Sequence, residues 1–244
     1  FEGSLSVSDN NSIYVHGVTE FKTYEVWRRG ENESDFKGVE YPIIDSTDKL
    51  LAGDYFEPRM MNVRQVLEYR DVTYVLLRNK SLYEHHVHRI VALKEGKLYG
   101  EPSVQDISSS AGMFQTCWNP FGRIAVDEQG LYYKHQSTVA RVPLCPTEND
   151  WLNPTVMVPS DHKEPSCIAT GHAIGCDRLY TLIQLQGEAP RLKGYSVKTG
   201  EFLHDVPLPS ELQIPDPHQC LAVSSQGILA LSDVVSQKIY LFDL

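Results

Sequence analysis

The sequence predicts an all-β chain, a β-propeller of about five blades, and three observations carry that expectation. No window places apolar residues convincingly at i, i+3, i+4 and i+7, the spacing of an amphipathic helix. Short alternating runs rich in Val and Tyr, with 13 tyrosines in 244 residues, are cut repeatedly by Gly, Pro, Asn and Asp. The runs also recur as a unit: an apolar strand, a turn, a second strand, a polar loop and a third strand.

Three units show the pattern plainly. They are GSLSVSDNNSIYVHGVTEFKTYEVW (Gly3–Trp27), GRIAVDEQGLYYKHQSTVARVPL (Gly122–Leu144) and QCLAVSSQGILALSDVVSQKIYLFDL (Gln219–Leu244). Their first turns fall at Asp9-Asn10-Asn11, Glu128-Gln129-Gly130 and Ser225-Gln226-Gly227, residues that accept the positive φ of tight hairpins. Two further units, Val63–Lys97 and Cys167–Leu208, keep the order with longer loops. In the latter, Lys198-Thr199-Gly200 reads as a hairpin into an outer fourth strand, a role that LYGEPSV (Leu98–Val104) and TVMVPS (Thr155–Ser160) could fill elsewhere.

Five units average about 49 residues each, a propeller period. A lone small sheet cannot cover both its faces, whereas packed blades cover one another. Residues 36–62 are too few for a sixth full blade, though a degenerate one would fit. The last unit stops after its third strand, so a closed ring would need a strand from elsewhere. The expectation is one domain over residues 1–244, excised from a longer chain, since the sequence opens on Phe1.

Composition narrows the function classes. The net charge is -10, from 22 basic and 32 acidic residues, without the basic footprint of a dedicated nucleic-acid binder. No apolar run approaches the roughly 18 residues of a membrane span. The five cysteines, Cys117, Cys145, Cys167, Cys176 and Cys220, read as free buried thiols of a reducing compartment, which places the chain in the cytoplasm. Three N-x-S sequons, at Asn10, Asn32 and Asn79, point the other way and keep a secreted origin open.

The final unit, PHQCLAVSSQGILALSDVVSQKIYLFDL, resembles an NHL repeat. Pro217 precedes the apolar strand Leu221–Val223, Gly227 makes the turn, Ile228–Asp233 is the second strand and Ile239–Asp243 the apolar-aromatic third. The unit at Asn119–Leu144 matches with Pro120, Ile124–Val126 and Gly130, but has His135 where Asp is usual. YWTD-type and WD-like propellers share much of this pattern. The resemblance implies a face that binds protein or RNA, and related six-bladed rings include enzymes.

Candidate chemistry is sparse. Tyr83-Glu84-His85-His86-Val87-His88 is the densest group of possible metal ligands, and its plainer reading is a polar solvated loop. His16, His135, His172 and His218 fall near corresponding loops, where several blades could share a metal. Cys167 and Cys176, eight residues apart around His172, do not have zinc-ribbon spacing. No G-x-S-x-G elbow, Walker loop or Rossmann glycine pattern is present. Asp127-Glu128 sits at a turn, where polar residues belong. No cofactor is expected.

The loop Met113–Phe121 carries Phe114, Trp118 and Phe121, costly to leave in water unless they bury something, and aromatics of this kind dominate interfaces. Arg59 and Arg64 hold an analogous position ahead of the inner strand of the unit Val63–Lys97. With His135 and His218, these residues form the expected binding face. The expected function is a non-enzymatic interaction domain whose loops take a protein or peptide, one with a basic segment suiting the acidic chain. Single-stranded RNA stacked on arginine and aromatics is the alternative. A metal-dependent hydrolase or lyase with an axial site is the third reading.

Overall fold

A computed structural model of the chain describes residues 3–7, 12–18, 24–39, 61–80, 86–95, 97–103, 124–135, 138–158, 168–175, 177–184, 189, 191–209, 212, 221–224, 226–233 and 237–243. Within them lie nineteen strands and one short helix, arranged as five antiparallel sheets. The chain is thus nearly all-β, a five-blade β-propeller by class.

Each sheet is laid down in chain order. The first holds β1 (Gly3–Val7), β2 (Ile13–Val18), β3 (Tyr24–Arg29) and β4 (Lys37–Gly38). The second holds β5 (Met61–Tyr69), β6 (Val72–Lys80), β7 (His86–Lys94) and β8 (Lys97–Leu98). The third is β9 (Ala125–Asp127), β10 (Gly130–His135), β11 (Thr138–Val142) and β12 (Thr155–Val158). β13 (Ile168–Gly175), β14 (Arg178–Gln184), β15 (Arg191–Ser196) and β16 (Phe202–Val206) make the fourth. The fifth has three described strands, β17 (Leu221–Val223), β18 (Ile228–Asp233) and β19 (Lys238–Asp243).

Local chemistry accounts for the turns. Gly227 has φ of 82° between β17 and β18, a left-handed conformation open to glycine at little cost. Beside it, the Ser224 hydroxyl accepts from the amides of Gln226 and Ile228 at 3.2 and 3.0 Å. The Lys198-Thr199-Gly200 hairpin leads into β16 as the sequence suggests, and Gly200 N donates to the Ser196 carbonyl at 2.8 Å. TVMVPS supplies the outer strand β12. LYGEPSV does so only at Leu98, because the chain turns away at Gly100 and Glu101, whose amide donates to the Pro146 carbonyl at 2.8 Å.

A buried tyrosine recurs near the start of the second strand in four sheets: Tyr14, Tyr74, Tyr132 and Tyr180, each at most 1% exposed. Register explains how so large a ring fits. Opposite Tyr132 and Tyr180 on the first strand stand Ala125 and Ala173, and opposite Tyr180 on the third stands Gly194. In the fifth sheet Ala230 takes the tyrosine's place and faces Ala222. In the third and fourth sheets a large ring is thus set opposite a small first-strand side chain, as close packing demands.

Two compact units emerge. One comprises Phe1–Ser110 and Cys145–Asn153, the other Ala111–Leu144 and Pro154–Leu244. In the first, the helix α1 (Glu148–Leu152) starts at a capping box in which Thr147 and Asp150 satisfy each other's backbone amides. Its buried Trp151 donates from Nε1 to the Glu101 carbonyl at 2.8 Å, pinning the helix beside the end of the second sheet. In the second unit, Tyr132, Val139, Met157, Leu179, Tyr195 and Val197 form one core between the third and fourth sheets. Tyr180, Leu182, Leu192, Leu221, Leu229 and Leu231 form another between the fourth and fifth.

Of the expected free buried thiols, Cys145 is free but exposed, because it lies on the bend before α1; the other four cysteines lie outside the described residues. Among the described residues no helix is long and apolar enough to cross a membrane.

Candidate functional site

Asp127 ends β9, and the hairpin to β10 folds back over its side chain. Its Oδ1 accepts from the amides of Gln129 and Gly130 at 2.7 and 3.2 Å. Its Oδ2 accepts from the Tyr132 hydroxyl at 3.3 Å. Directly across from Tyr132 on β11 stands Arg141, whose guanidinium donates to the Val197 carbonyl at 3.2 Å. A carboxyl group, a phenol and a guanidinium are therefore gathered in one half-buried place within the second unit.

Burial raises the pKa of Asp127, and it outweighs the three hydrogen bonds and the nearby Arg141, which pull the other way. The Tyr132 phenol is also pushed up, first by burial and then by the Asp127 charge, so it stays protonated. Asp127 differs in this from Glu33, Asp71 and Asp150, which sit low at the surface. Glu33 and Asp71 are held by hydrogen bonds from Lys37 and Lys94, Asp150 by the Thr147 amide. A carboxyl group that keeps its proton to higher pH, beside a neutral phenol, has the makings of a proton donor.

The first unit repeats the tyrosine–arginine pair. Tyr14 stands across from Arg28, which donates to Ser12 Oγ at 2.8 Å and lies 3.8 Å from the Glu33 carboxylate. Burial pulls the Arg28 pKa down, but Tyr14, Glu68 and Glu33 together raise it above its ordinary value. Here the Glu33 pKa is held down, and Glu33 joins Arg28 and Lys37 in an ion-pair network.

The residues singled out in the sequence fare unevenly. Arg59, Phe114, Trp118, Phe121 and His218 lie outside the described residues. Arg64 falls on β5 at a register shift between Val63 and Gln65, and His135 closes β10 opposite Thr138. The expected histidine loop is instead partly strand: His86 and His88 open β7 and pair with Lys80 and Arg78. Among the described residues no group of three His, Cys, Asp or Glu side chains could hold a metal. Asp127 does occupy the expected turn. Its partial burial beside Tyr132 was not read from the sequence, although Leu131-Tyr132, Leu179-Tyr180 and Ile13-Tyr14 repeat an apolar–tyrosine pair soon after each turn.

The sequence matches no family model and no curated protein. Among solved structures, the chain is similar to a luciferin-regenerating enzyme, with a TM-score of 0.55 at 11% identity over 97% of this chain and 71% of that one. A GH43B protein of the Bacteroides ovatus xyloglucan locus aligns at 0.46 and 13% identity over 98% of this chain and 51% of that one. A GH43 endo-arabinanase of Bacillus licheniformis aligns at 0.42 and 12% over 99% and 92%. At such identity the likeness is one of fold.

The comparison nonetheless corrects the expectation of a non-enzymatic interaction domain, because the fold is shared with an enzyme. The expectation leaned on the lack of a linear catalytic motif. Lack of a known motif does not exclude a site, because the chemistry depends on which side chains the fold brings together, as it does Asp127, Tyr132 and Arg141.

Proposed function

We propose that the chain is a hydrolase built on a five-blade propeller, with Asp127 as its proton-donating carboxyl group. The observation that carries this reading is the Asp127–Tyr132–Arg141 group, in which burial holds the carboxyl group's pKa above the ordinary value. Hydrolysis of a glycosidic, ester or peptide bond needs a proton delivered to the leaving group, and a carboxyl group tuned upward is a fit donor. The fold's occurrence in an enzyme supports the same reading. Arg59, Arg64, Phe114, Trp118, Phe121, His135 and His218 stay as the proposed binding positions.

The kinship of the last repeat to NHL repeats belongs to this proposal too. It is supported by the fall of Leu221–Val223 and Ile228–Asp233 on either side of the Gly227 turn. The test is hydrolysis of chromogenic glycosides, esters and peptides by the purified chain and by Asp127→Asn. Turnover of one class that the substitution abolishes supports the proposal. No turnover of any class, or turnover unchanged in the variant, rejects it.

A further inference from the structure

We infer that Asn32 is an acceptor site for N-linked oligosaccharide. It opens the sequon Asn32-Glu33-Ser34, in the turn between β3 and β4. The turn is built by the middle residue. Glu33 Oε2 accepts from the Gly30 amide at 2.8 Å, and its Oε1 accepts from Lys37 Nζ at 2.6 Å. Glu33 N in turn donates to the Gly30 carbonyl at 3.1 Å. With Glu33 turned back into the loop, both residues that take part in transfer, Asn32 and Ser34, are left exposed at its tip. A bulky, solvated glycan can stand there without displacing a packed group.

The other two sequons differ. Asn79 lies in β6, a central strand, paired with Met61 on one side and Val87 on the other. Asn10 falls outside the described residues. The reaction needs a lipid-diphosphate oligosaccharide as donor. A bond forms between Asn32 Nδ2 and C1 of the sugar, and the bond from that carbon to the diphosphate breaks. The diphosphate leaves with the electron pair, and the amide gives up a proton.

The experiment is translation of the full chain behind a cleavable secretion leader with microsomal membranes, followed by peptide mapping after enzymatic deglycosylation. The expected result is conversion of Asn32 to Asp in most of the translocated, leader-cleaved chain. Asn32→Gln and Ser34→Ala should each remove that glycan, while Ser34→Thr keeps it. Recovery of the Asn32 peptide unmodified from translocated chain overturns the inference, as does a glycan count unchanged by both Asn32→Gln and Ser34→Ala.

Discussion

Replacing Gly130 by Ala probes the hairpin that holds Asp127. Gly130 has φ of 151°, and a Cβ added there would lie 2.3 Å from the Val142 carbonyl oxygen and 3.0 Å from Arg141 Cγ. Holding a non-glycine residue in such a backbone region costs about 1–3 kcal/mol. The carbonyl is backbone and cannot swing aside. The Leu131–Val142 pairing must therefore open, losing a ladder hydrogen bond worth about 1 kcal/mol. The sum is about 2–4 kcal/mol, a large part of the roughly 5–15 kcal/mol that holds a domain folded. With a urea slope of about 3 kcal/mol/M, the unfolding midpoint should fall by about 1 M. Gly38→Ala is the control, since a Cβ there meets nothing within 4 Å, and it should stay within about 0.5 kcal/mol of wild type. A Gly130→Ala midpoint as high as that of Gly38→Ala would refute the reasoning.

Other expectations follow from the same geometry. Because burial raises the folded pKa of Asp127, the stability tied to its protonated form is full below the unfolded value and is lost as pH rises through the folded one. Asp127→Asn, which keeps an oxygen for the Gln129 and Gly130 amides, should therefore gain on wild type between acid and neutral pH; denaturant melts at pH 3 and pH 7 check this, and an equal difference at both would count against it. Leu182→Ala, at a fully buried side chain between the fourth and fifth sheets, should cost about 2–5 kcal/mol by chemical denaturation. Thr147→Ala removes the cap of α1 and should cost about 1 kcal/mol, with hydrogen exchange at Asp150 and Trp151 rising first.

The strands were legible because their signals are local. Alternation in Ile228–Asp233 and turn chemistry at Gly227 and Lys198-Thr199-Gly200 act within a few residues, and the structure follows them. The helix α1 was not legible, since five residues are too short to show a 3.6-residue period; its trace was the Thr147-x-x-Asp150 spacing. LYGEPSV misled because an alternating run says nothing of Pro146, 45 residues beyond Glu101, which receives the Glu101 amide. The site was the least legible part. Asp127 reads as any turn aspartate until Tyr132 and Arg141 are placed around it, and that neighbourhood depends on the register of β10 against β11.

The most direct test of the account reads activity and stability together in Asp127→Asn. A carboxyl group kept partly buried for chemistry is held at some cost to the fold, so its removal should relieve the fold while ending turnover. The account predicts a variant at least as stable as wild type at pH 7 that has lost hydrolysis of whichever substrate class the wild type accepts. A variant that hydrolyses that substrate at the wild-type rate, or one that loses activity only by unfolding, would contradict it.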